Sequence, residues 1–155
     1  MEFAITAPVA GADDSYLPTG GRSFLFEPKE DGMEKYYLIA VGAIPGAFFR
    51  YWLTLWAASR WGTNFAYGTL LINLIGSFVL GLFLPLLDRG IFPPNARYLV
   101  AVGWCATFTT YSTFSWDTFR YIQEGNLKLA LANAGLTLLG CLCATWAGVT
   151  LAKLV

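Results

Sequence analysis

Residues 106–115 read ATFTTYSTFS. Six hydroxyls (Thr107, Thr109, Thr110, Ser112, Thr113, Ser115) are threaded there through apolar and aromatic side chains, with no acid, base or metal ligand in the run. Helix packing does not need so many alcohols. Thr is a poor helix former, and Ser and Thr side chains compete for backbone hydrogen bonds, so a break is expected near Thr107–Thr110. Freed carbonyls at such a break could hold a cation, and the hydroxyls could donate to an anion. Tyr111 and Phe114, at i and i+3, face the same way on a helix that resumes after the break. An aromatic ring has a positive edge, so two edges can line an anion's path without trapping it as a full charge would.

Further polar residues recur at helical spacing elsewhere. Gly42, Gly46 and Arg50 lie at i, i+4 and i+8, roughly on one face. Arg50 stands about eight residues from Ala58, or ~12 Å. Its guanidinium either snorkels to the headgroups or coordinates an ion or the backbone. Thr69, Asn73, Ser77 and Gly81 repeat every four residues, as do Asn133, Thr137, Cys141 and Thr145. Asn73 shares the depth of Arg50. Taken alone, each stripe reads first as interhelical contact and, as the alternative, as the lining of a polar path.

The elements that must carry these residues are built for lipid. Hydrophobic residues make up 56% of the 155-residue chain and charged ones 13%, against about 25% charged in an ordinary globular domain. Four windows suit a membrane helix of ~20 apolar residues: Tyr36–Ala58, Phe65–Leu87, Ala96–Tyr121 and Leu127–Leu151. The loops between them (59–64, 88–95 and 122–126) are short, so neighbouring helices should run antiparallel. The expected fold is an all-α membrane protein, a compact four-helix bundle over residues 35–155 with a break in the third span. Residues 1–34 hold seven acids against Arg22 and Lys29, net −5, while 35–155 hold three acids against eight bases, net +5. That acidic extension lacks the basic start and continuous apolar core of a secretory signal. It is expected to be mostly disordered or surface-lying, with Phe24-Leu25-Phe26 as its one apolar cluster.

Several functions are disfavoured by what is missing. The chain has no histidine, and its three cysteines sit in apolar stretches without a Cys-x-x-Cys pair, so a zinc site has almost no support. No Ser/His/Asp or Cys/His constellation, phosphate-binding Gly loop or basic run for nucleic acid is present, and an enzyme is not expected. No carboxylate lies mid-span, which deprives a proton-coupled exporter of cations of its obvious carrier.

The polar residues crowd into half of the bilayer. Arg50, Asn73, Asn133, Thr137 and Ser112–Ser115 lie in the half nearer Arg60 and Arg120, with Thr107–Thr110 closest to the middle. A second copy inverted about the midplane would complete a polar path and place two breaks together. The loop charges permit it: Lys35, Arg89, Arg97 and Lys153 on one side against Arg60, Arg120 and Lys128 on the other give almost no orientation bias.

Three stretches carry a resemblance: GAIPGAFFRY (42–51), GTLLINLIGSFVLG (68–81) and GWCATFTTYSTFS (103–115). Over roughly residues 36–153 the chain resembles the small dual-topology fluoride channels of the CrcB or Fluc family. The resemblance implies passive fluoride export through an antiparallel homodimer in the inner or plasma membrane, with a structural sodium ion at the dimer centre. It implies Asn73 and Arg50 as the polar residues of the first two spans, and Tyr111 and Phe114 as the aromatic pair. Ser112, Thr113 and Thr137 would be hydroxyls along the path, and the carbonyls of Ala106 and Thr109 sodium ligands. Two positions depart from the family pattern: Tyr111 replaces the usual Phe, and Ala106-Thr107 replaces a glycine-rich pair. Either could alter conduction or mark one member of a heterodimeric pair.

Overall fold

The computed structural model describes residues 32–155; most of the acidic extension expected over 1–34, including Phe24-Leu25-Phe26, lies outside the described residues. Among the described residues every regular element is helical. α1 spans Glu34–Trp61 and α2 Tyr67–Asp88; a π-helical stretch, Tyr98–Cys105, leads into a short α3 (Ala106–Phe108); α4 spans Tyr111–Gln123 and α5 Leu127–Ala152. The three apolar runs at 36–58, 65–87 and 127–151 thus become α1, α2 and α5, each long and apolar enough to cross a membrane. Pro45 and Pro85 are absorbed within α1 and α2.

The run at 96–121 behaves differently. It starts as a π-helix, whose i→i+5 bonds are rare and local, and it breaks where Thr109 (ψ 159°) and Thr110 (φ −151°, ψ 114°) are both extended. The break is narrower than expected, because Thr107 stays helical. Its hydroxyl lies within hydrogen-bond distance of the Gly103 carbonyl one turn back, at 2.6 Å, and of the Ala43 carbonyl of α1, at 3.2 Å, so it finds acceptors without unwinding its turn and links two elements.

Close approach of backbones sets the packing. A Cβ on Gly42 would collide with the Leu99 carbonyl, and one on Gly103 would lie 2.8 Å from the Ile39 carbonyl. α1 and the π-helical stretch therefore come closest at glycines. α2 and α5 cross in the same way at Gly81 and Gly148, where Thr145 Oγ1 also donates to the Ser77 carbonyl at 3.3 Å. The Ser77, Gly81 and Thr145 ends of the two stripes are thus interhelical contacts. Leu53, Ile72 and Phe108 form the core where α1, α2 and α3 meet, with Trp104 stacked on Phe108 at 4.7 Å. Outside it the apolar side chains face outward: Phe48, Phe49 and Trp52 on α1 and Leu138, Leu142 and Trp146 on α5 are all exposed. So large an exposed apolar surface suits lipid or another protein copy rather than water.

Candidate functional site

At the break one side chain from the neighbouring helix meets the backbone. Asn73 on α2 accepts the Thr110 N–H through Oδ1 at 2.9 Å and donates Nδ2 to the Thr110 carbonyl at 3.1 Å. In an uninterrupted helix the Thr110 N–H would close the turn on the Ala106 carbonyl. The Thr113 N–H, which would bond the Thr109 carbonyl, goes instead to Thr110 Oγ1 at 3.2 Å. Thr110 thereby serves as the N-cap of α4, the role for which a Thr hydroxyl is suited. The carbonyls of Ala106 and Thr109 are thus among the four, from Ala106 to Thr109, that lose their helical donors at the break. They are neutral oxygens of the kind a hard cation takes.

The hydroxyls divide into two groups. Thr107, Thr109 and Ser115 bond carbonyls of their own turns. Thr110, Ser112 and Thr113 instead form a fan, with Thr110 Oγ1 lying 3.2 Å from Ser112 Oγ and 3.0 Å from Thr113 Oγ1. Beside the fan Tyr111 and Phe114 sit with ring centroids 5.5 Å apart and planes tilted by 48°, so the expected pair does share a face. Tyr111 is 79% exposed in the single chain.

A second polar group lies between α4 and α5. Asn133 is completely buried and donates Nδ2 to Thr118 Oγ1 at 2.8 Å, while its Oδ1 has no partner. Thr137, one turn further along α5, is 8% exposed, and its hydroxyl also has no partner. That is unusual in this chain. Thr54, Thr107, Thr118 and Thr150 on helices, and the extended Thr109, each donate to the carbonyl four residues back, whereas the helical Thr137 bonds neither its own helix nor a neighbour. Buried polar atoms are nearly always paired, and two orphans on successive turns of one face mark a place that takes in a polar guest.

Arg50 is not drawn into this constellation. It is half-buried on α1, and its guanidinium has no hydrogen-bond or ion-pair partner among the described residues. Only its backbone is engaged, by the Thr54 hydroxyl at 2.8 Å.

Against this geometry stands a match over most of the bundle. The family model described as "CrcB-like protein, Camphor Resistance (CrcB)" fits residues 37–149. The chain belongs to the CrcB family. Its relatives include proteins named "Fluoride-specific ion channel FluC". One, from Citrifermentans bemidjiense, is 38% identical over 118 residues, covering 76% of this chain and 94% of its own length. Another, from Koribacter versatilis, is 41% identical over 113 residues, covering 72% and 90%. A third, from Trichormus variabilis, is 45% identical over 105 residues, covering 66% and 77%. With three apolar helices able to span and a fourth apolar run between them, this CrcB-family member is a multi-pass membrane protein.

Two site features of this CrcB chain escape sequence reasoning. Asp117 packs inside the bundle and accepts a hydrogen bond from Thr69 Oγ1 at 2.9 Å, although its position near the end of an apolar run reads as a boundary charge. Thr69 and Asn73, one turn apart on α2, thus form two rungs to α4, one to a carboxylate and one to a backbone peptide. The pairing of Asn73 with a peptide rather than a side chain had no signal at all.

Proposed function

We propose that the chain is a subunit of a fluoride-selective channel that lowers cytoplasmic fluoride by passive export. The observation that carries the reading is the orphaned and buried Thr137 hydroxyl, in a bundle whose break presents a hydroxyl fan and an aromatic pair. Neutral hydroxyl donors can replace water around a small anion, whereas Asn133 Oδ1 can only accept. They do so without the charge that would hold it. Fluoride enters acidified cells as neutral HF and ionises in the cytosol, and the inside-negative potential then drives the anion out without any other energy input. The names of the relatives point to the same ion.

In this reading four spans per copy, two copies inverted in the membrane and a path along Asn73, Tyr111, Phe114, Ser112, Thr113 and Thr137 make up the channel. Exposed Tyr111 would meet the partner copy or the ion. The freed carbonyls of Ala106 and Thr109, brought together from both copies, fit a structural sodium ion, which would supply a fixed positive charge at the dimer centre. Arg50 would hold headgroups or ions at the mouth rather than the narrow part. Tyr111 favours a second reading. Its phenol, where relatives of the resembled pattern carry a plain ring, suits a chain that conducts only beside a paralogous partner.

The test is efflux from liposomes loaded with potassium fluoride, started with valinomycin and read by a fluoride electrode, beside chloride-loaded controls. Fast fluoride efflux with chloride retained supports a homodimeric channel. Silence from verifiably dimeric protein removes it and leaves the paired-subunit reading.

A further inference from the structure

The hydrogen-bond geometry at Thr110 leads to a claim independent of conduction. We infer that Asn73 is the positioning residue that keeps the third span broken, its amide standing in for the peptide of a missing neighbour. A residue presents its N–H and its carbonyl to the same side only when it is extended, which is how paired strands exchange both bonds. Thr110 has that conformation (φ −151°, ψ 114°), and the Asn73 amide occupies both positions, at 2.9 and 3.1 Å. In a helical Thr110 the two groups point in opposite directions along the axis, and no single amide reaches both. The two bonds therefore select the extended conformer. They lie in a buried setting, where Asn73 and Thr110 are both under a tenth exposed and unpaired backbone groups are costly.

Without the amide, the Thr110 N–H has one intramolecular alternative, the Ala106 carbonyl, and bonding it rewinds the span. Two extended residues rise by roughly 3.3 Å each against 1.5 Å in a helix, so rewinding draws α4 in by about 3–4 Å. Tyr111 and the hydroxyl fan move with it, and the Ala106 carbonyl is closed off. The arrangement has a second effect. One Nδ2 hydrogen is spent on Thr110, so Asn73 retains a single N–H, polarised by the bond that its Oδ1 accepts. Asn73 can offer a passing ion one strengthened donor and no more.

The test is spectroscopic and uses the full chain in lipid bilayers. Thr110-Tyr111 is the one Thr-Tyr pair in the sequence, so carbonyl-13C threonine with 15N tyrosine isolates the Thr110 carbonyl in solid-state NMR. The native protein should show the shift of an extended residue. Asn73→Leu should show the helical shift. Asn73→Asp supplies a check that no general loss of packing reproduces. Protonated, its carboxyl is both donor and acceptor like the amide; ionised, it only accepts and repels the Thr110 carbonyl. The extended signature should persist in acidic buffer and disappear, reversibly, in alkaline buffer. An extended Thr110 in Asn73→Leu, or in the alkaline form of Asn73→Asp, would overturn the inference. Should Asn73→Leu not fold, the Asp variant decides alone. Neither readout depends on fluoride flux, so failure of the channel reading leaves the result intact.

Discussion

Replacing Thr137 by valine separates a guest site from ordinary packing. The substitution is nearly isosteric and removes one hydroxyl, which in the structure is buried and bonded to nothing. A buried polar group without a partner costs about 1–3 kcal/mol, so the variant should melt at or above the temperature of the native protein. If the hydroxyl donates to a passing anion, that charge-assisted bond is worth roughly 1.5–3 kcal/mol, or about 10- to 100-fold in flux at most. The expected result is a protein of equal or greater stability that conducts about tenfold or more slowly. The comparison variant is Thr118→Val. The Thr118 hydroxyl donates to the Phe114 carbonyl and accepts from Asn133, both at 2.8 Å, so its removal orphans a buried amide and should lower the melting temperature. Both are read by thermal denaturation in detergent beside electrode efflux from liposomes. A destabilised Thr137→Val with undiminished efflux would show that the hydroxyl serves the fold, and the argument from orphaned atoms would collapse.

Tyr111→Phe should keep or raise fluoride efflux, since the ring pair at 5.5 Å is retained and only the phenol is lost; a dead variant would assign the hydroxyl an essential contact. Gly148→Ala places a Cβ 2.7 Å from the Leu82 backbone nitrogen. That should part α2 from α5 at a cost of about 1–3 kcal/mol, visible as a lowered melting temperature. Arg89 donates to the Ala152 carbonyl at 2.7 Å and so closes the end of α5. Arg89→Ala should lower stability by at most about 1 kcal/mol and leave efflux per folded channel unchanged.

Helix positions were legible because lipid demands long apolar runs, and composition reports those directly. The ends moved by no more than a turn where Gly62, Gly90 and Gly125 take positive φ and stop the chain. The break was legible for a different reason, the density of hydroxyls, but its width was not. Thr107 remains helical because it finds carbonyl acceptors in its own turn and on α1, and a linear sequence does not display such an acceptor. The same limit hid the partner of Asn73. A peptide group is present at every residue, so nothing in a residue's identity announces which one a side chain will bind. The Thr69 bond to Asp117 was hidden in the same way, because two polar residues 48 positions apart do not announce that they meet.

The break also bears on how the chain enters a membrane. During insertion the third span would meet lipid with the N–H and carbonyl of Thr110 unpaired, and each such group costs several kcal/mol in hydrocarbon. Its partner lies 37 residues earlier, on a helix that is synthesised first. The third span is therefore not an autonomous unit of biogenesis. It has to leave the translocon against α2, so the order of synthesis becomes an ingredient of the fold. A reporter fused behind Gln123 should record insertion of Asn73→Leu as efficient as that of the native chain, because the rewound span leaves no peptide unpaired; a drop would show that the span stays broken without its partner.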